Sequence, residues 1–126
     1  MTLAELLAQA YLDELKDALR AEEAARRIPY PHLRARLEAV AKRERAHAEA
    51  LAEAMRKRGL PIPPPPPPEA DSWEGLLELL SSEGFDRALY LESTLPDPEL
   101  ETLFTRIGQE EKENQEAIRQ VVALLG

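Results

Sequence analysis

At 126 residues the chain is the size of one domain and is long enough to bury a core without covalent staples. It has no cysteine, which excludes disulfides, thiolate zinc sites, iron–sulfur clusters and cysteine nucleophiles. With 24 acidic against 16 basic residues and a net charge of −8 it is a poor partner for a nucleic-acid backbone, and charged residues interrupt every apolar run well short of a membrane span.

Alanine, leucine, glutamate and arginine dominate and strand formers are scarce, so the expected fold class is all-α. The N-terminal Met1-Thr2-Leu3-Ala4-Glu5 lacks a basic segment followed by an apolar one, and the expected location is cytoplasmic. Thr2 and Glu5 fit a capping box. The first predicted helix runs from about residue 3 to 27 along the stripe Leu3, Leu7, Ala10, Glu14, Ala21, Ile28, with one heptad position between Glu14 and Ala21 passed over. Arg26 and Arg27 suit its C-terminal end, and Pro29 and Pro31 break it.

The second predicted helix starts near Pro31 and ends at Gly59, with the stripe Leu33, Leu37, Val40, Glu44, His47, Leu51, Ala54. Here a carboxylate and an imidazole occupy positions that should point into a core. Three residues apart on one helix face, they can reach a common ion, whereas an unpaired buried carboxylate is very costly. His32, near the start of this helix, reads as a surface residue.

Residues 60–72 are proline-rich and predict a polyproline II strap rising about 3.1 Å per residue, roughly 40 Å in all. That equals the length of the flanking helices at about 1.5 Å per residue. Such a strap carries the chain from one end of a bundle to the other, making the second and third helices parallel. The third predicted helix begins after Asp71 or Ser72 and carries Trp73, Leu76, Leu80, Glu83 and Tyr90. The fourth is capped by Asp97 with Pro98 at its first position, and its stripe is Leu100, Phe104, Ile107, Glu111, Asn114, Ile118, Val121, Leu125.

Sliding the fourth helix over the second pairs Leu33 with Leu100, Leu37 with Phe104, Val40 with Ile107, Glu44 with Glu111, His47 with Asn114 and Leu51 with Ile118; Glu14 falls similarly on Glu83. The chain is therefore expected to be one domain, residues 1–126, built from two like halves (3–59 and 73–125) joined by the strap 60–72. In a bundle of equal helices the midpoints meet, so Glu14, Glu44, Glu83 and Glu111 converge with His47 beside them. Four carboxylates sharing a dry site need cations, and two divalent ions would supply +4 against −4.

This pattern resembles the ferritin-like, rubrerythrin-like superfamily: one Glu on the first helix, E-x-x-H on the second, one Glu on the third, E-x-x-H on the fourth, and a long crossover in the middle. The resemblance implies a ferritin-like four-helix bundle with two divalent metal ions, iron first, with manganese or zinc as alternatives. It implies that Glu14, Glu44, His47, Glu83 and Glu111 are metal ligands, Glu44 and Glu111 bridging. The implied activity is oxidase, peroxidase or ferroxidase-type redox chemistry on dioxygen, peroxide or Fe(II). Without cysteines there is no rubredoxin-type relay, so turnover needs an external electron donor.

The sequence departs from the family at Asn114, where the second histidine stands; an amide oxygen is a poorer ligand than imidazole. Two unequal ions, one ion, or a metal-free helical scaffold all remain open there. Shifting the pair to Glu110 and Glu113 restores charge but rotates both off the stripe. Tyr11, one turn before Glu14, and Tyr90 are candidates to hydrogen-bond the carboxylates, or else core residues. A homodimer is a further expectation, since a narrow bundle can bury more surface by pairing.

Overall fold

The computed structural model describes residues 1–67, 73, 74, 90 and 95–125. Three long helices carry nearly all of them: α1 (Leu3–Arg27), α2 (Pro31–Lys57) and α3 (Pro98–Leu125), the last being the predicted fourth helix. Among the described residues there is no strand, and no helix is long and apolar enough to cross a membrane.

The helix ends follow from local chemistry. At the start of α1 the Thr2 hydroxyl accepts from the Glu5 amide while the Glu5 carboxylate accepts from the Thr2 amide, closing the capping box. The Arg34 guanidinium donates twice to the Ile28 carbonyl at the tight turn into α2, where Pro31 opens the helix without a side-chain cap. The second helix ends two residues before the expected Gly59. Gly59 takes φ +66° and the amides of Gly59 and Leu60 donate to the carbonyls of Arg56 and Met55, so the last turn closes as a Schellman motif. Leu60 then folds back toward the cluster that holds Met55.

Asp97 caps α3, its Oδ1 accepting from the Leu100 amide at 2.9 Å, and that bond holds its carboxyl below the usual range together with the Arg58 guanidinium. Asp97→Ala is expected to lower the melting temperature at neutral pH. The difference should vanish as pH falls through the folded-state pKa of Asp97, because a depressed carboxyl stabilises only above that point. An unchanged pH dependence in a thermal melt of the variant would show that the cap contributes nothing.

Cross-helix pairs set direction. Arg36 donates to Gln120, Arg43 pairs with Glu113, Lys57 with Glu99 and Arg58 with Asp97, so α2 and α3 run antiparallel. Two apolar clusters lie at opposite ends. One joins Ala21, Ala24 and Ala25 of α1 and Ile28 just after it to Leu33–Ala41 of α2 and Ile118 and Val121 of α3, with Trp73 packed against it. The other joins Leu7 and Ala10 to Leu51–Met55 and Leu100–Ile107, with Tyr90 inside it and Leu60 and Ile62 against it. The predicted stripes of α1, α2 and α3 are buried at nearly every position. Between the clusters, at mid-height, the core turns polar.

Candidate metal centre

Glu14 is at the middle of α1, Glu44 and His47 at the middle of α2, and Glu111 and Asn114 at the middle of α3; none is more than 2% exposed. Heptad register aims them inward, and the equal lengths of the helices bring them to one level. One ligand atom from each of Glu14, Glu44, His47 and Glu111 can be chosen so that all four lie within 4.8 Å of one another.

His47 organises the group. Its Nδ1 lies 3.2 Å from Glu111 Oε1 and 3.5 Å from Glu14 Oε2, while Nε2 is 2.6 Å from Glu110 Oε2. Tyr90 donates its hydroxyl to Glu14 Oε1 at 2.7 Å, and Asn114 donates Nδ2 to Glu44 Oε1 at 2.6 Å. Among the described residues, Oε2 of Glu14 and Oε2 of Glu111 are buried without a hydrogen-bond partner. A buried carboxylate oxygen in that condition costs on the order of 1–3 kcal/mol or more, and a cation satisfies it. The donor set, three carboxylates and one imidazole, suits divalent first-row ions. The residues therefore fit a metal.

Burial and neighbouring charge shift Glu14 and His47 toward their protonated forms. Burial raises the Glu14 carboxyl well above its ordinary 4.5, and the charge of Glu111 adds to this against the hydrogen bonds from Glu44 and Tyr90. Burial alone would lower His47, but its hydrogen bonds to Glu111 and Glu110 and the charge of Glu44 outweigh that and raise it above 6.5. Burial and the adjacent Glu14 raise the Tyr90 phenol well above 10.0, so it stays a donor.

The structure brings together Glu14, Glu44, His47, Glu111 and Asn114, with Tyr90 touching Glu14. Glu83 lies outside the described residues, as does most of the predicted third helix. Tyr11 packs, half-buried, against the apolar cluster at the Leu7 end and makes no hydrogen bond to a carboxylate among the described residues.

Two acidic residues that the stripe reading set aside are engaged in the structure. Asp17 is 1% exposed, with Oδ1 3.2 Å from Arg20 Nη1; it occupies the heptad position passed over between Glu14 and Ala21. Glu110, beside the inward stripe, holds the outer nitrogen of His47, which leaves Nδ1 facing the carboxylates and the Nε2 proton directed away from them. Glu110→Ala is expected to weaken metal affinity about 10- to 100-fold, read by competition titration against a chromophoric chelator. Glu110→Gln, which keeps an acceptor, should retain most of it. Equal loss in both variants would mean that carboxylate charge, not the orientation of His47, is what matters.

Fold and centre together define a class: an all-helical protein whose packed core is interrupted at mid-height by a carboxylate and imidazole cluster able to hold metal. Residues 5–65 match the family model for rubrerythrin, a span that includes Glu14, Glu44 and His47. Over that span, a little under half of its length, the chain is similar to rubrerythrin. The searches of curated proteins and of solved structures returned no match.

Proposed function

We propose that this chain is a carboxylate and histidine metal protein of the rubrerythrin-like type, with iron as its first metal and manganese or zinc as alternatives. Its activity is oxidase, peroxidase or ferroxidase-type chemistry on dioxygen, peroxide or Fe(II), in the cytoplasm, with electrons from an external donor. The observation that carries the reading is the convergence of Glu14, Glu44, Glu111 and His47 on one buried point, with two carboxylate oxygens unsatisfied. Bound iron supplies one-electron redox steps. The protein's own part is to hold the ion with Glu14, Glu44, Glu111 and His47, to keep the His47 Nε2 proton on Glu110, to steady Glu14 through Tyr90, and to exclude water with an apolar cluster on either side.

The architecture that goes with this reading is one four-helix domain over residues 1–126, with the polyproline strap crossing its length and Glu83 as a fourth carboxylate. Its support is that Leu60 and Ile62 pack at one end of the core, Trp73 at the other, and Tyr90 back at the first. The antiparallel pairing of α2 with α3 agrees, since an up-and-down bundle with short loops would make them parallel.

Anaerobic loading with Fe(II), followed by elemental analysis and then optical detection of Fe(III) after exposure to oxygen or peroxide, tests the proposal. Bound iron that oxidises faster than free Fe(II) supports it. Absence of bound iron, manganese and zinc under these conditions would sink it and favour the metal-free scaffold to which Asn114 points. Bound metal without accelerated oxidation would leave a metal-binding protein and remove the catalytic claim.

A further inference from the structure

Asn114 takes the place that the paired half of the chain gives to His47, and the structure fixes which way its amide faces. It is fully buried; Nδ2 donates to Glu44 Oε1 at 2.6 Å and Oδ1 accepts from Arg43 Nη1 at 3.0 Å. Turned over, the amide would set its NH2 against a guanidinium and its carbonyl against a carboxylate, two donors together and two acceptors together. Only one orientation satisfies both neighbours. Arg43 is itself anchored by Glu113 at 3.2 Å.

The end of Asn114 that faces the centre is therefore a donor, which cannot ligate a cation. Its one ligating atom is turned away and engaged by a guanidinium whose positive charge stands behind it. On the opposite side His47 presents a ring nitrogen inward, 3.2 Å from Glu111 and 3.5 Å from Glu14. A pair of ions about 3.5–4 Å apart needs terminal donors on both sides. On the second side the residue in the place of the paired histidine is Asn114, and it turns a donor inward. One ion bound at about 2.0–2.2 Å holds opposite ligand atoms a little over 4 Å apart, and the four atoms of Glu14, Glu44, His47 and Glu111 already lie within 4.8 Å of one another.

We infer that the centre holds a single divalent ion on the His47 side, among Glu14, Glu44, His47 and Glu111, and that Asn114, held by Arg43, closes the position a second ion would take. In this arrangement Glu44 Oε1 accepts from the Asn114 amide on the side a second ion would take. The inference rests on the proposal that the centre binds metal, and it separates this chain from the two-ion pattern of the family it resembles.

The test is anaerobic titration of the metal-free protein with Mn(II) alone, read by calorimetry for stoichiometry and by electron paramagnetic resonance for spin coupling. One equivalent per chain with the spectrum of an isolated Mn(II) is expected. Two equivalents, or a coupled-pair spectrum, would overturn the single-ion inference and leave the metal proposal standing. No binding, seen also with Fe(II) and Zn(II), would overturn both. Asn114→His, shown by circular dichroism to be folded, should take up a second equivalent and give a coupled spectrum. If the folded variant still holds one, Asn114 is not what excludes the second ion. Should that variant fail to fold, the spectrum of the unaltered protein decides the question.

Discussion

Saturating the metal-free protein with Mn(II) or Zn(II) is expected to raise its melting temperature by about 10 °C, and the gain should grow with pH. At a free ion concentration 100 times Kd, linkage contributes about 2.7 kcal/mol, which for a chain of this size is roughly that shift. The pH dependence follows from the shifts of Glu14 and His47 toward their protonated forms. The folded-state pKa of Glu14 lies above its ordinary 4.5 and that of His47 above 6.5, so between each ordinary value and its folded value the native state binds more protons than the unfolded one. Native-state stability of the metal-free form is then lost as pH rises through those windows. Metal requires the same groups deprotonated, so its affinity climbs where the metal-free fold weakens.

On the acid side the order reverses. The Arg45 guanidinium holds Glu22 below its ordinary range through two short hydrogen bonds, and that contribution disappears as pH falls through its folded pKa. Thermal melts across about pH 3 to 8, with and without metal, should give a metal-free curve that peaks in mild acid and a metal-loaded curve displaced to higher pH. Identical curves would show that the buried carboxylates are not the metal site.

The second large effect is in the packing below the centre. Phe104 is 1% exposed and meets Tyr90 edge to face, with centroids 5.0 Å apart and ring planes at 72°. Phe104→Ala is expected to cost about 3–5 kcal/mol of unfolding free energy in denaturant melts. It should also weaken metal binding, because the Tyr90 hydroxyl that steadies Glu14 is placed by that contact. Tyr90→Phe separates the two: it keeps the ring and removes the donor, so its effect on metal affinity should survive while most of the stability loss does not. A cost for Phe104→Ala below about 1 kcal/mol would mean that the cavity collapses without strain and that Tyr90 is held by other neighbours.

How much of this was legible in advance depends on the kind of signal each residue carries. The ends of α1, α2 and α3 were, because Thr2, Pro31, Gly59 and Asp97 act on their own backbone within one turn. Glu14, Glu44, His47, Glu111 and Asn114 were placed inward because heptad spacing fixes the direction of a side chain whatever its chemistry. Asp17 obeys the same spacing and was passed over, since a polar residue at a heptad position reads as a gap unless a repeat marks it. Glu110 could not be found that way at all. It sits off the stripe, and only the approach of α2 to α3 brings it to His47. Asn114 shows a third limit: the sequence supplies an amide, but which end faces the metal is decided by Arg43.

The cross-helix pairs between α2 and α3 bear on one more matter. An apolar stripe with a seven-residue repeat is satisfied again after every slide of seven residues, so hydrophobic packing alone leaves several alignments of near-equal merit. In this chain such a slide would set Phe104 or Ile118 opposite His47 and leave Glu44 buried without the Asn114 amide, a loss of several kcal/mol. It would also separate Arg43 from Glu113 and Lys57 from Glu99, each worth about 0–1 kcal/mol at the surface. The polar layer thus acts as the vernier of the bundle, selecting one alignment from a degenerate set before any ion arrives.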